Sequence, residues 1–127
     1  MKNKIMIVDD DPSILITIRE LFELEGFEVY TVNDGKSCIE ELRKGFKGVI
    51  LMDIMMPLMD GWETIRQIVD NNLDSGNIIS VLTAKDISNS DNINEFKSYV
   101  TDYIFKPFDP DELKRIVKNY FYNITKK

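Results

Sequence analysis

Short apolar runs alternate with amphipathic stretches five times along this chain of 127 residues, and this alternation limits the folds open to it. The runs are rich in β-branched residues, as is typical of strands buried on both faces. They cover residues 5–8, 28–32, 49–52, 78–82 and 103–105. The stretches between them repeat apolar residues at helical spacing. The pattern predicts a three-layer α/β sandwich, in which a five-stranded parallel sheet carries helices on both faces.

The predicted helices carry recognisable signals at their ends. Asp11 and Pro12 suit an N-cap and a first helical position, and Asp109 and Pro110 repeat the pair before the last helix. Gly26 suits the end of the first helix, because glycine adopts the left-handed conformation common there. These signals support the helical interpretation of the amphipathic stretches.

The bulk composition narrows the possible chemistry. No linker or low-complexity segment interrupts the pattern, so we expect one domain over residues 1–127, with a core from about residue 4 to residue 123. The net charge of -6 argues against a nucleic-acid surface, and no run approaches the roughly 18 apolar residues of a membrane span. The single cysteine, Cys38, suits a core position and a cytoplasmic protein. Because the chain has no histidine, oxygen ligands would hold any metal, which favours hard cations such as Mg²⁺.

Four of the five predicted strands are followed by residues suited to phosphate or metal chemistry. These residues are Asp9 and Asp10, Asp53, Thr83, and Lys106. In open parallel sheets, ligand sites collect at the carboxyl ends of the strands, so we expect these side chains to lie close together. Neighbouring carboxylates repel one another unless a divalent cation lies between them. The Lys106 ammonium and the Thr83 hydroxyl would stabilise a phosphoryl group carried by an aspartate.

Four short motifs then resemble those of a known family, in order and in position. They are VDDDP from Val8, LMDIMMPLMDG from Leu51, LTA from Leu82 and YIFKPF from Tyr103. With them the chain resembles the receiver domain of two-component response regulators, the CheY-like family. The resemblance implies a flavodoxin-like fold with sheet order 2-1-3-4-5. It also implies a phosphorelay function, in which phosphorylation changes a surface of helix 4, strand 5 and helix 5 that signals to a partner.

The resemblance assigns the acidic residues to phosphoacceptor and metal roles. Asp53 would accept the phosphoryl group in a Mg²⁺-dependent reaction, and Mn²⁺ would substitute for Mg²⁺. Asp10 and Asp53 would bind the metal through their side chains, Met55 through its backbone carbonyl, and Asp9 mostly through water.

The same resemblance assigns the remaining site residues to phosphoryl binding and switching. The Thr83 hydroxyl and the Ala84 N–H would hold phosphoryl oxygens, and Lys106 would pair with the phosphoryl group. The bond between Lys106 and Pro107 would be the family's cis peptide. Tyr103 would be the aromatic switch that turns inward when Thr83 moves toward the phosphoryl group.

Met55 and Lys85 are expected to set the lifetime of the phosphorylated state. They flank the approach of a water molecule to the phosphoryl group, and neither side chain accepts a proton well, so self-dephosphorylation should be slow. The chain would be a signalling phosphoacceptor that promotes its own phosphorylation and slow dephosphorylation, not an enzyme with a separate substrate. The implied partners are a sensor histidine kinase or a histidine phosphotransfer protein, and a downstream protein that the sequence does not identify.

The chain departs from the family pattern near the fourth helix. Val100 and Thr101 stand where the family often has a small-glycine-small turn. Residues 87–94 are rich in Ser, Asn and Asp, which predicts a fourth helix that starts late or is mobile.

Two other functions are compatible with parts of the sequence. A haloacid-dehalogenase-type phosphatase has Asp-x-Asp after its first strand, which residues 9–11 imitate, and would use Asp9 as the nucleophile. That interpretation leaves the LMDIMMPLMDG and YIFKPF segments unexplained. The second alternative is a receiver-like binding module that signals without phosphorylation. The site of labelling by a small phosphodonor, Asp9, Asp53 or neither, distinguishes the three functions.

Overall fold

The computed structural model describes residues 3–84 and 86–126, except for the side chains of residues 124–126. Strands and helices alternate in the order β1 (Lys4–Val8), α1 (Pro12–Glu23), β2 (Glu28–Val32), α2 (Gly35–Arg43), β3 (Val49–Asp53), α3 (Gly61–Asp70), β4 (Ile78–Thr83), α4 (Asp91–Glu95), β5 (Val100–Phe105) and α5 (Pro110–Lys126). The strands form one parallel sheet with the order β2-β1-β3-β4-β5. The predicted fold class is therefore confirmed. Across the described ranges, no helix has the length and apolar character needed to cross a membrane.

The hydrophobic core has two halves, one on each face of the sheet. Residues of α2 and α3 pack on one face with alternate strand residues such as Met6, Val8, Ile50 and Met52. Residues of α1 and α5 pack on the other face with the intervening strand residues, such as Ile5, Ile7, Val49 and Leu51. This alternation is the period-two pattern of strands that are covered on both sides. Cys38 is fully buried in the first half, as expected of a core cysteine.

The helix ends agree with the signals in the sequence. The Asp11 side chain accepts a hydrogen bond from the Ser13 N–H at 2.9 Å and so caps α1. Gly26 follows that helix with a φ of 87°, a left-handed conformation that glycine adopts without steric strain. Asp60 caps α3 in the same way, by accepting from the Glu63 N–H at 2.9 Å.

The fourth helix and the fifth strand differ from the other elements. As predicted, α4 starts late, at Asp91, and it contains only five residues. The strand β5 begins at Val100, earlier than the predicted residue 103. The register between β5 and β4 shifts by one residue at this point. Ile79 of β4 pairs with Val100, but the next residue, Ser80, pairs with Asp102. Thr101 is therefore an extra residue, a β-bulge, in the segment where the family turn is absent.

The bulge determines which face of the sheet the following side chains occupy. Val100 and Tyr103 both pack on the α2 and α3 face, although they are three positions apart. Ile104 packs on the opposite face. Without the extra residue at Thr101, strict alternation would place Val100 and Tyr103 on opposite faces. The bulge thus directs Tyr103 toward α3.

Candidate functional site

The carboxyl edge of the sheet brings the predicted site residues together. Asp9 directly follows β1, Asp53 and Thr83 are the last residues of β3 and β4, and Lys106 directly follows β5. Asp9, Asp53 and Thr83 are only 1%, 4% and 0% exposed. Burial of a polar or charged side chain costs folding free energy unless it has a hydrogen-bond or ionic partner, so we expect partners for these three residues.

Lys106 connects the two buried carboxylates. Its Nζ lies 2.7 Å from Asp9 Oδ2 and 3.8 Å from Asp53 Oδ1. The Lys106 N–H donates to the Thr83 carbonyl at 2.8 Å, which ties the end of β5 to the end of β4. The peptide bond between Lys106 and Pro107 is cis. In this arrangement the ammonium lies closer to Asp9 than to the expected phosphoacceptor.

The loop between β3 and α3 closes back onto Asp53. The Met55 N–H donates to Asp53 Oδ1 at 3.1 Å, and the Gly61 N–H donates to the Ile54 carbonyl at 3.1 Å. A Cβ atom at position 61 would lie 2.5 Å from the Asp53 carbonyl oxygen. Only glycine allows so close an approach, so Gly61 fastens the start of α3 to the end of β3.

The electrostatics of the site favour a bound cation. Burial raises the pKa of the Asp53 carboxyl from 3.8 to about 6, and the carboxylates of Asp9 and Asp10 act in the same direction. The Met55 N–H and the Lys106 ammonium oppose this rise. At neutral pH Asp53 is therefore ionised, but its charge is poorly compensated by the protein alone.

The acidic residues have the composition and spacing of a metal site. Asp9, Asp10 and Asp53 each offer a carboxylate oxygen, and these oxygens lie within 4.8 Å of one another. Asp10 is exposed and the other two are buried, so one side of the cluster is open to solvent. Hard oxygen donors around an open position suit Mg²⁺, which keeps several of its water ligands. The described residues therefore fit a Mg²⁺ ion, and the carbonyl of Met55 remains a predicted ligand.

The other predicted site residues differ in their burial and in their contacts. Thr83 is fully buried, and Ala84 is exposed beside it. The Tyr103 ring lies 6.4 Å from the Trp62 ring, and its hydroxyl is buried without a hydrogen-bond partner in the described part of the chain. Lys85 lies outside the described residues.

Sequence reasoning missed a set of contacts between α3 and α4. The Trp62 and Phe96 rings stack at 6.0 Å with an interplanar angle of 10°. The Arg66 guanidinium binds Glu95 through two hydrogen bonds and lies 5.2 Å from the centre of the Phe96 ring. The only available signal was that Trp62 is the single tryptophan, because residues 66 and 95 are too far apart in sequence for a local pattern.

A parallel sheet of this order defines a flavodoxin-like domain, and its carboxyl edge carries two buried aspartates and a lysine. Residues 5–118 match the family model of the response regulator receiver domain. The chain belongs to that family.

Individual relatives agree with this assignment. A receiver domain protein (CheY-like) from Methanospirillum hungatei has a structure that matches with a TM-score of 0.87 and 41% identity, covering 100% of both chains. The response regulator TrrA from Thermotoga maritima, solved in complex with Mg²⁺ and BeF, matches with a TM-score of 0.79 and 30% identity over 94% of this chain and 98% of that one. The DNA-binding response regulator MtrA of Mycolicibacterium smegmatis is 34% identical over 89% of this chain and 48% of its own length. The chain spans about half the length of the curated relatives it matches.

Proposed function

We propose that this receiver domain accepts a phosphoryl group on a carboxylate oxygen of Asp53 from a phosphohistidine of a partner protein. The observation that carries the proposal is the geometry around Asp53, a buried carboxylate at the sheet edge with the Lys106 ammonium 3.8 Å away. These 127 residues contain no histidine, so the phosphohistidine would lie outside them. A sensor histidine kinase or a histidine phosphotransfer protein has this chemistry.

The transfer requires an ionised nucleophile and compensation for the charge of the incoming group. The Asp53 oxygen forms a bond to phosphorus as the phosphorus–nitrogen bond of the donor breaks, and the donor imidazole leaves with the electron pair of that bond. With a pKa of about 6, Asp53 is ionised at neutral pH. The Lys106 ammonium and the Thr83 hydroxyl, together with the Ala84 N–H, would bind the phosphoryl oxygens.

Mg²⁺ would be held by the carboxylates of Asp10 and Asp53 and by the Met55 carbonyl, with Asp9 acting mostly through water. When bound, the ion neutralises the negative charge shared by the acceptor and the phosphoryl oxygens. Mn²⁺, another divalent cation with a preference for oxygen ligands, would substitute.

The signal would leave the domain through α4, β5 and α5. Movement of Thr83 and Lys106 toward a phosphorylated Asp53 would make room for the Tyr103 ring, which already faces the α3 side of the sheet. The bound group would thereby shift a two-state equilibrium of this surface. The downstream target is a protein, and we assign no nucleic-acid binding to this domain, whose net charge is -6.

Slow loss of the phosphoryl group is part of the proposal. Hydrolysis needs a water molecule in line behind the phosphorus, and Met55 and Lys85 are the residues assigned to that approach. Met55 is 56% exposed, and its backbone N–H donates a hydrogen bond to Asp53 Oδ1. A thioether accepts hydrogen bonds only weakly, so it does not position water well.

We further place the domain in the cytoplasm, where a lone unpaired cysteine such as Cys38 is usual.

The decisive experiment is labelling by a small phosphodonor. Incubation with acetyl phosphate and Mg²⁺ should give an acid-labile phosphorylated form by intact mass, and Asp53→Asn should abolish it. Asp60→Asn is the matched control, because Asp60 caps α3 at the same edge of the sheet and asparagine caps about as well. Labelling that persists in Asp53→Asn but disappears in Asp9→Asn would favour the phosphatase-like alternative. Absence of labelling in the parent would favour the phosphorylation-independent module.

A further inference from the structure

The helix α4 is short, and its C-terminal end contacts side chains of α3. It contains only the five residues Asp91–Glu95, and none of them is buried. A helix this short has little stability of its own, because nucleation is unfavourable. The residue that follows it, Phe96, is 3% exposed and belongs to the core half that includes α3.

Four residues attach the end of α4 to α3, and we call them the α3–α4 clasp: Trp62, Arg66, Glu95 and Phe96. The Arg66 Nη2 donates to Glu95 Oε1 at 3.1 Å, while its other terminal nitrogen donates to Oε2, so the pairing is bidentate. The same guanidinium lies over the Phe96 ring, which is stacked on Trp62. A planar guanidinium suits both contacts at once.

The clasp also joins α4 to the phosphoacceptor strand. Trp62 directly follows Gly61, whose backbone is packed against that of Asp53 at the end of β3. The Trp62 ring is shared between Phe96 and Tyr103. Tyr103 and the residue at the end of α4, Phe96, therefore both contact the Trp62 ring. Trp62 lies on α3, whose first residue packs against Asp53.

We propose that the α3–α4 clasp restrains α4 and so sets how readily the domain switches, with Arg66 and Trp62 as positioning residues. This inference rests on the proposed function, because it concerns the same switch. Movement of α4 must slide or break the pairing between Arg66 and Glu95, whose partners belong to different helices. A contact that differs between two states changes their equilibrium, so loosening it favours the switched state.

The experiment uses the intact chain and beryllofluoride with Mg²⁺ as the probe. In Arg66→Met, amide exchange of residues 91–96 should rise in the metal-free protein. The beryllofluoride concentration at half-saturation, followed by Trp62 emission, should fall about threefold, as expected for loss of a partly exposed ion pair. Glu95→Gln should shift both readouts in the same direction, and adding it to Arg66→Met should have no further effect, because Arg66→Met already removes the ion pair with Glu95. Arg19→Met is the matched control, since Arg19 forms a similarly exposed pair with Glu23 on α1 at 3.3 Å.

The outcomes separate the clasp from the proposed function. Unchanged exchange at residues 91–96, or unchanged or weaker beryllofluoride binding in Arg66→Met, would overturn the clasp and leave the phosphoacceptor role standing. An equal shift in Arg19→Met would overturn it as well, because the effect would then not be specific to α4. A parent chain that does not respond to beryllofluoride would refute the proposed function, and the clasp's role in switching would fall with it.

Discussion

Replacing Asp53 by asparagine should stabilise the metal-free protein at neutral pH, even though it removes the phosphoacceptor. Asp53 is 4% exposed, and its nearest cation, Lys106, lies closer to Asp9. Burial raises the pKa of its carboxyl from 3.8 to about 6. Each pKa unit corresponds to about 1.4 kcal/mol, so the ionised carboxylate destabilises the fold by up to about 3 kcal/mol.

The pH dependence of this effect has a defined sign. Below the unfolded pKa of 3.8, Asp53 is protonated in both states and contributes no difference. As the pH rises toward about 6, the unfolded chain loses its proton first, which lowers the free energy of the unfolded state relative to the folded state, so stability falls. Asparagine does not titrate. The stability advantage of Asp53→Asn should therefore be near zero at low pH, grow across this window and stay constant above it.

Urea unfolding in EDTA, across a pH series that brackets this window, measures the effect. Asp34→Asn is a control with the opposite sign, because the Ser37 N–H lowers the pKa of the exposed Asp34 carboxyl. That variant should lose a little stability at neutral pH. Saturating Mg²⁺ should remove most of the advantage of Asp53→Asn, since the ion compensates the ionised carboxylate. If Asp53→Asn were no more stable than the parent at neutral pH without metal, the electrostatic reasoning would be refuted.

Three further outcomes follow from the site. Mg²⁺ at 100 times its Kd should stabilise the parent by about 2.7 kcal/mol in thermal unfolding, and the Asp10→Asn variant should show little of this stabilisation. When both proteins are free of metal, the variant should melt at a higher temperature than the parent. Tyr103→Phe should raise the free energy of unfolding by up to about 1 kcal/mol, because it removes a buried hydroxyl that lacks a partner; a loss of stability in urea unfolding would contradict this. Met55→Asn combined with Lys85→Glu should speed decay of the phosphorylated form about tenfold, equivalent to ~1.4 kcal/mol of barrier, and an unchanged decay rate would show that these residues do not set the lifetime.

The sheet and the edge that carries the site could be predicted from sequence because both depend on local patterns. Apolar runs located the strands, and polar residues such as Asp53 and Thr83 directly after those runs located the functional edge. The ends of the helices followed from capping residues such as Asp11.

Contacts that depend on tertiary packing could not be predicted. The pairing of Arg66 with Glu95 joins residues 29 positions apart, so no helical or strand period reveals it. The closer approach of Lys106 to Asp9 than to Asp53 depends on side-chain geometry at the sheet edge. The register shift at Thr101 is likewise a property of how β5 pairs with β4.

A second hydrogen-bond network, partly buried and also not predictable from the sequence, joins α5 to the strands β4 and β5, on the sheet face opposite Tyr103. The Tyr120 hydroxyl lies 2.8 Å from Ser80 Oγ and donates to Asp102 Oδ2 at 2.5 Å. Burial raises the pKa of Tyr120, and the hydrogen bond to Asp102 acts in the same direction. Asp102 occupies this face because the bulge at Thr101 shifts the alternation of β5.

The bulge at Thr101 also bears on how the domain behaves at high concentration. The strand β5 is at one end of the sheet, so no other strand among the described residues pairs with its outer backbone N–H and C=O groups. A regular edge of this kind is a template for pairing with a second copy, which leads to aggregation. The extra residue interrupts the regular spacing of those groups and bends the strand. A variant lacking Thr101 would present a straighter edge, and light scattering should detect its self-association at concentrations where the parent stays monodisperse.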